Sequence, residues 1–303
     1  MVKVLVVSKG MEFIIKALKE RNAQDIKERV EKDRKGLEDL AKLVKIPKDV
    51  TCVPLDVEGI PAEWVSAPEA REDKIILYLH GGGYVGGSLN SHRELVSRLS
   101  RTTMARVLMI DYRLAPEYPF PAAVEDSTKA YKWLIKDQDI NSKNIIIMGD
   151  SAGGGLTFAT LINLRDKGEP LPAAGVGLSP WTDLGITQES YRTNRKIDPF
   201  ISIDGIIFSA ELYLGDTDYK NPLASPIYAD LKGLPPLYIQ VGTAELLYDD
   251  SVVIAKRAKE AGVDVTLDIW EDMPHVFSAF AAVAPEGQKG IEKIGEFTAN
   301  FFI

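Results

Sequence analysis

The sequence predicts an α/β fold in which a mostly parallel β-sheet is covered by helices on both faces. Two observations support this prediction. Short, almost purely apolar runs alternate with segments of helical periodicity, and 45% of the 303 residues are hydrophobic, which is ample for one large core. Strands that are buried on both faces carry continuous apolar runs, as parallel strands under helical layers do. We therefore expect a single domain over residues 1–303.

The first part of the chain is predicted to be helical. Between Phe13 and Val44 charged residues are dense, and apolar residues such as Ile26 and Val30 recur at helical spacing. This pattern is expected to end at Pro47. From residue 51 the periodicity changes from helical to extended.

Eight strands are predicted after residue 50, and the first two resemble a hairpin joined around Gly59. The predicted strands are 51–57, 60–66, 74–80, 106–112, 144–150, 173–180, 236–242 and 263–270. The predicted helices are 89–103, 121–137, 152–165, 248–262 and 286–302. Gly262 occupies the place of a helix C-cap glycine. Residues 181–232 interrupt the alternation, because they hold helical patterns without a strand, and we interpret them as an insertion above the sheet.

Composition and charge exclude several classes of function. The net charge is −8 and the chain has no basic stripe, so we expect no nucleic-acid partner. The single cysteine, Cys52, cannot form an intrachain disulfide, which fits a reducing, cytoplasmic location. The N-terminal run MVKVLVVSKG is too short for a signal peptide. No apolar stretch reaches the roughly 18 residues that would predict a membrane span, so no membrane partner is expected.

The stretch IIIMGDSAGGG places Ser151 at the end of a predicted buried strand and before a predicted helix. A sharp strand-to-helix turn leaves no room for side chains two residues before and after the serine, and Gly149 and Gly153 meet that requirement. This is the G-x-S-x-G pattern of the nucleophile elbow. A plain glycine-rich turn is the alternative, but the apolar run and the following helix favour the elbow.

A serine hydroxyl needs a base to become a nucleophile, and that base needs a carboxylate to orient it. The chain has three histidines, His80, His92 and His275. In the fold that carries the elbow, the order along the chain is serine, acid, histidine. Only His275 follows Ser151, so His275 is the predicted base.

The acid is expected between these two residues, after the penultimate strand. Glu245 is the first carboxylate beyond the strand 236–242 and is the favoured choice. Asp249 is the main rival, although it also fits the first turn of the next helix, where acids interact with the helix dipole. Asp268 and Asp272 are weaker candidates, because they lie on or beside the strand that leads to the predicted base.

The segment His80–Gly83 follows the predicted strand 74–80 directly and is the candidate source of oxyanion donors. Glycines let backbone N–H groups point into a site without side chains in the way. A phosphate-binding loop is disfavoured, because the segment does not lead straight into a helix. His80 is expected to shape this loop by hydrogen bonding and not to transfer protons.

From about residue 50 to the C-terminus the chain resembles the hormone-sensitive-lipase-like carboxylesterases. The motifs that carry the resemblance are HGGG at 80–83, DYRLAPEYPFPAAVED at 111–126, GDSAGG at 149–154 and MPHVF at 273–277. The resemblance implies an α/β-hydrolase fold with an eight-stranded mixed sheet. It also implies a helical cap, which residues 1–46 and 181–232 would supply.

The resemblance also implies roles for individual residues. Ser151 would be the nucleophile and His275 the base, and the N–H groups of Gly82, Gly83 and Ala152 would form the oxyanion hole. The acid departs from the common pattern, since most members carry Asp in D-P-L-x-D, whereas here the stretch begins at Glu245 and reads ELLYD. Some members use Glu, so Glu245 is kept as the expected acid. Residues 111–117 are expected to be structural, near the HGGG loop.

These observations predict a serine carboxylesterase that works through an acyl-enzyme, and the resemblance implies short- to medium-chain acyl esters as its substrates. No metal or organic cofactor is expected, the partner is a small-molecule ester, and a homodimer is possible by analogy with related esterases. Amidase, lactonase or deacetylase activity at the same site is an alternative. A non-catalytic receptor is disfavoured because Ser151 and His275 are both present, and an aspartate-nucleophile hydrolase because the elbow carries serine.

Apolar residues of the insertion are candidates for an acyl or alcohol pocket. They are Phe200, Ile203, Ile206, Ile207, Phe208 and Tyr213. For any single one of them, packing of the cap helices onto the sheet is the simpler interpretation.

Overall fold

The computed structural model describes residues 23–302, and these residues form one eight-stranded sheet with helices on both faces. The strands are β1 (Thr51–Val57), β2 (Ile60–Ser66), β3 (Arg71–Leu79), β4 (Ala105–Ile110), β5 (Ile145–Asp150), β6 (Ala174–Leu178), β7 (Leu237–Gly242) and β8 (Val265–Trp270). The helices are α1 (Ala23–Ala41), α2 (Leu89–Thr103), α3 (Ala122–Lys136), α4 (Ala152–Asp166), α5 (Ser190–Thr193), α6 (Ile203–Leu214), α7 (Tyr248–Glu260) and α8 (Pro285–Thr298).

The strands lie in the order β1-β2-β4-β3-β5-β6-β7-β8. β2 runs antiparallel to both of its neighbours, and the remaining pairs are parallel. The predicted mostly parallel sheet is confirmed. β3 begins at Arg71, before the predicted start at residue 74, because Arg71 pairs with Ala105 of β4. The charged residues 72–74, between this pair and the apolar run, do not show the pattern of a buried strand, so the sequence placed its start too late.

Neighbouring residues of the central strands pack into different layers. Ile76 and Ile146 contact the helices on one face, α2 and α8, whereas Leu77 and Ile147 belong to the core on the other face under α3, α4 and α7. Side chains alternate between the two faces of a strand, so both sets must be apolar. Full burial of each such side chain stabilises the fold by about 1.5–3 kcal/mol.

Helix ends follow local capping chemistry. Ser88 begins α2 with a capping box, because its hydroxyl accepts a hydrogen bond from Ser91 N. Gly262 lies just past α7 at φ 82°, and the chain there donates from Gly262 N to Lys259 O and from Val263 N to Ala258 O. This is the arrangement expected of a C-cap glycine.

The N-terminal helix and the insertion meet near the carboxyl end of β3. The guanidinium of Arg29 lies 4.0 Å from the ring centroid of Phe208 in α6. Arg34 donates to Val85 O at 2.7 Å and to both carboxylate oxygens of Glu117. α1 ends at Ala41, earlier than the predicted end at residue 47, and the predicted helical residues 13–22 lie outside the described residues.

Within residues 181–232 the chain forms α5, α6 and a short 3-10 turn at Pro226–Tyr228, and no strand. The segment therefore adds no strand to the sheet, as its helical sequence patterns indicated. None of the helices in the described part of the chain is both long and apolar enough to cross a membrane.

Two glycines with open space around them are predicted to respond in opposite directions to alanine. No atom lies within 4 Å of a Cβ built at either Gly36 in α1 or Gly262, but only Gly262 has a positive φ. Gly36→Ala should raise the free energy of unfolding by about 0.5–1 kcal/mol, because alanine loses less backbone entropy in a helix. Gly262→Ala should lower it by about 1–2 kcal/mol, because a side chain disfavours the left-handed conformation. Equilibrium denaturation measures both, and equal effects would contradict the assignment.

Candidate active site

The order of the strands reverses between β3 and β5. From β3 the chain continues to β4 on one side, and from β5 it continues to β6 on the other. In open α/β sheets, ligands bind at the carboxyl ends of the strands at such a switch point. The HGGG segment follows β3 and Ser151 follows β5, so both predicted motifs lie at this switch point.

Ser151 has a backbone conformation that few non-glycine residues adopt, with φ 53° and ψ −121°. A Cβ on Gly149 would lie 2.6 Å from Leu79 O and would overlap Gly153 O. A Cβ on Gly153 would overlap Leu79 O and His80 O. These overlaps give the physical reason for glycine on both sides of the serine, and Ser151 itself is partly exposed at the turn.

The next two glycines allow the segment after β6 to approach the turn. A Cβ on Gly154 would lie 2.9 Å from Pro180 Cα, and a Cβ on Gly155 would overlap Trp181 O. Through this approach Ser151 N donates to Leu178 O at 2.8 Å, and Ser151 O accepts from Trp181 N at 2.9 Å. Both backbone polar groups of Ser151 are thereby bonded to the segment 178–181.

The loop that follows β3 brings Gly82 and Gly83 to the same edge of the sheet as Ala152, the first residue of α4. Among the hydrogen bonds formed by residues 23–302, none has the N–H of Gly82, Gly83 or Ala152 as its donor. Gly82 O accepts from Gly86 N at 2.9 Å, which closes the loop into a tight turn. The start of a helix also favours negative charge.

Asp150 holds this loop in place. Its Oδ1 accepts from Gly81 N at 3.0 Å and from the Tyr78 hydroxyl at 2.7 Å. His92 Nε2 lies 3.3 Å from its Oδ2. Burial acts to lower the pKa of His92, but the charge and hydrogen bond of Asp150, together with a bond to the Ser88 backbone and the charge of Glu38, raise it. His92 thus interacts with a structural carboxylate.

His80 is fully buried and supports the same loop. Its Nδ1 lies 2.8 Å from Gly81 O, and its ring stacks on Tyr112 with 4.3 Å between centroids. The Tyr112 hydroxyl donates to His80 O at 2.7 Å, and Ala115 N donates to Tyr84 O. These contacts agree with the shaping role expected for His80 and with the structural role expected for residues 111–117.

His275 and Glu245 are in contact. His275 Nδ1 lies 2.7 Å from Glu245 Oε2. The Glu245 side chain has no exposed area, and its Oε1 accepts from Gly242 N and from the Ser179 hydroxyl, each at 2.8 Å. An ionised carboxylate only accepts hydrogen bonds, so Nδ1 carries the proton in this pair and Nε2 is the basic nitrogen.

The imidazole of His275 is easier to protonate than an ordinary histidine. Burial acts to lower its pKa, but the charge and hydrogen bond of Glu245, followed by the charges of Asp198 and Asp150, raise it above the ordinary value. Asp150 directly precedes Ser151, so the imidazole lies within electrostatic range of the elbow.

The other candidate acids are bonded elsewhere. Asp249 lies in the first turn of α7, and its Oδ2 accepts from Ser190 N at 2.8 Å. Asp268 Oδ2 accepts a hydrogen bond from the Tyr238 hydroxyl at 2.5 Å and another from Trp270 Nε1 on β8. Asp272 is exposed, after the end of β8. Of the four carboxylates considered from the sequence, Glu245 is the one that bonds the imidazole.

Sequence reasoning missed two residues of this site, Ser179 and Asp198. Ser179 is a polar residue at the carboxyl end of a buried strand, the same pattern that identified Ser151. The sequence therefore contained a signal that could have pointed to Ser179. Asp198 lies in the helical insertion, where no pattern marked it. In residues 23–302 no group of three or more His, Cys, Asp or Glu side chains is arranged to hold a metal ion.

Comparison with known proteins places residues 76–279 in a family described by its alpha/beta hydrolase fold. An acetyl-hydrolase of Streptomyces hygroscopicus is 46% identical over 236 residues, which cover 78% of this chain and 78% of the relative. An esterase of Acinetobacter venetianus is 36% identical over 268 residues, which cover 88% of each chain.

Solved structures give the same result. The crystal structure of an esterase from the bacterial hormone-sensitive lipase family superposes with a TM-score of 0.89 at 48% identity, covering 96% of this chain and 95% of the other. A mutant of the esterase E40 superposes with a TM-score of 0.89 at 50% identity, covering 90% of this chain and 92% of the other. At such identities the similarity extends beyond the fold.

We predict that His275 titrates above about 6.5, the ordinary value for a histidine side chain. Glu245→Gln should lower the pKa of His275, because burial then acts with less opposing charge. NMR titration of the imidazoles measures this directly, since the chain has only three histidines, and loss of one signal in His275→Gln assigns it. Asp249→Asn is the control and should leave the titration unchanged. A His275 pKa that does not respond to Glu245→Gln would contradict the pairing.

Proposed function

The chain belongs to the alpha/beta hydrolase family and, within it, to the hormone-sensitive-lipase-type esterases, and we propose that it cleaves esters through Ser151, His275 and Glu245. It is a carboxylic ester hydrolase. The observation that carries the proposed triad is the 2.7 Å contact between His275 Nδ1 and Glu245 Oε2, at the same sheet edge as the strained turn of Ser151.

The proposed reaction has two acyl-transfer steps. Ser151 Oγ attacks the ester carbonyl carbon while His275 Nε2 takes its proton, and Glu245 stabilises the imidazolium that results. The tetrahedral intermediate collapses, the C–O bond to the alcohol breaks, and the imidazolium gives its proton to the leaving oxygen. Water then attacks the acyl-enzyme with the same base, which releases the carboxylic acid and restores the serine hydroxyl.

The proposed oxyanion hole consists of the N–H groups of Gly82, Gly83 and Ala152. Support comes from their position beside the elbow and from the absence of a protein acceptor for these donors within residues 23–302. A fixed donor of this kind stabilises the transition state by about 3–4 kcal/mol. The bond from Gly81 N to Asp150 would hold the loop ready before substrate binds.

We also propose a single hydrolase domain with a cap built from residues 1–46 and 181–232. The contact of Arg29 with Phe208 and the bonds of Arg34 to Val85 and Glu117 support this arrangement, because they join α1 to the insertion and to the β3 loop. A cytoplasmic location and a homodimer remain expectations from the sequence.

Short- to medium-chain acyl esters are the proposed substrates. A relative carries the name acetyl-hydrolase, which concerns that protein and supports a small acyl group here. Of the apolar insertion residues considered from the sequence, Ile206, Phe208 and Tyr213 are buried in packing contacts. Phe200 is exposed and stacks on Phe280, five residues beyond His275, so it is the better candidate for an acyl contact.

An acyl-chain series of fluorogenic esters tests the activity and the chain preference together. We expect kcat/KM to be highest from acetyl to octanoyl and to fall for palmitoyl. Ser151→Ala should lower kcat by at least about 10,000-fold for every ester, because the covalent step is lost. Near-native turnover by folded Ser151→Ala would refute the nucleophile, and a maximum at palmitoyl would refute the proposed substrate class.

A matched pair of variants tests the acid. Glu245→Gln should lower kcat by about 1,000- to 10,000-fold, because the amide no longer stabilises the imidazolium. Asp249→Asn should keep most of the parent activity, because its side chain bonds Ser190 N and not the imidazole. Thermal unfolding of both proteins controls for stability. Greater loss in Asp249→Asn than in Glu245→Gln would reverse the assignment.

A further inference from the structure

We propose that Ser179 is a positioning residue that fixes the proposed acid and base relative to the nucleophile. The proposal rests on the function proposed above and concerns a residue outside the triad. Ser179 is the first residue after β6, and 1% of its surface is exposed. A hydroxyl at this depth needs hydrogen-bond partners, and both partners of Ser179 belong to the active site.

The Ser179 hydroxyl makes two bonds of opposite sense. It donates to Glu245 Oε1 at 2.8 Å, and it accepts from Val276 N at 3.0 Å. Val276 directly follows His275. The Ser179 Oγ atom therefore joins the carboxylate of Glu245 to the backbone of the loop that carries His275. These two bonds fix the distance between the Glu245 loop and the His275 loop.

The place of β6 in the sheet explains why one side chain can do this. β6 lies between β5, which ends at the nucleophile, and β7, which leads to the acid. Ser179 N donates to Gln240 O at 2.7 Å and so continues the ladder with β7. The residue then turns with φ 45°, a left-handed conformation that is unusual for serine and directs the chain away from the strand.

The residues around Ser179 hold the nucleophile in the same way. Leu178 O accepts from Ser151 N, and Trp181 N donates to Ser151 O. The segment 178–181 thus bonds the nucleophile through its backbone and the acid and base loops through one side chain. Gly242 N also donates to Glu245 Oε1. Without the Ser179 hydroxyl, Glu245 Oε1 would therefore keep the bond from Gly242, but the loop that carries His275 would lose its connection to Glu245 through Ser179.

Ser179→Ala should lower kcat for ester hydrolysis by about 10- to 100-fold with KM within about threefold, since small misplacements of catalytic groups cost this much. The pKa of His275 should fall relative to the parent, because a loosened contact with Glu245 leaves burial less opposed. The charged groups that face this imidazole, Glu245, Asp198 and Asp150, are unchanged in the variant. NMR titration of the imidazole provides this second readout without turnover.

Ser97→Ala is the matched control, because it also removes a buried hydroxyl, one that donates to Arg93 O in α2 away from the site. It should change neither kcat nor the His275 titration. Ser179→Gly serves if the alanine variant folds poorly, since glycine accepts φ 45° without strain and also lacks the hydroxyl.

The proposal is overturned if folded Ser179→Ala or Ser179→Gly keeps kcat within about threefold of the kcat of Ser97→Ala. It is also overturned if the pKa of His275 does not fall in the Ser179 variant. Failure of the proposed function is recognised separately, because it requires Ser151→Ala to retain ester hydrolysis, whereas the titration reports on Ser179 whether or not esters are cleaved.

Discussion

The backbone of Ser151 is held in a conformation that it would rarely adopt alone, and much of the site follows from the way it is held. Its N–H and C=O bond the segment 178–181, and its turn passes so close to the end of β3 that no side chain fits at Gly149 or Gly153. Such a conformation costs on the order of 1–3 kcal/mol and persists only where the surroundings determine it from several sides. Here two neighbouring strand ends supply that constraint.

The glycine run after the serine is a consequence of the same packing. Gly154 and Gly155 face Pro180 and Trp181, which belong to the segment 178–181 that bonds the backbone of Ser151. The first turn of α4 therefore carries almost no side chains where the segment after β6 crosses it. The open N-terminus of this helix remains available to developing negative charge. Close backbone approach thus serves the geometry of the serine and the electrostatics of the proposed oxyanion hole together.

Much of this arrangement could be predicted from the sequence, because the signals were local or depended on order. Ser151 lies between an apolar run and a helix, His275 is the one histidine after it, and Glu245 is the first carboxylate after β7. No role could be assigned to Ser179 from the sequence, because that role depends on β6 lying between β5 and β7. The order of strands in the sheet could not be predicted from local sequence patterns. Asp198 could not be found either, since its contacts join an irregular insertion to a distant loop.

Side chains of the insertion bond backbone groups of residues 243–246, the loop that carries Glu245, and this sets a limit on how the insertion can vary. Asn194 Nδ2 donates to Thr243 O and Glu245 O, Asp198 Oδ2 accepts from Leu246 N, and the Ser190 hydroxyl donates to Leu246 O. The side chains of Ile197 and Phe200, on the same segment, are exposed. Neither exposed side chain takes part in these bonds, so a change at either position leaves the bonds to the loop that carries Glu245 in place. A change at Ser190, Asn194 or Asp198 removes a bond to the loop that carries Glu245, so the same segment holds both exposed positions and positions that fix this loop.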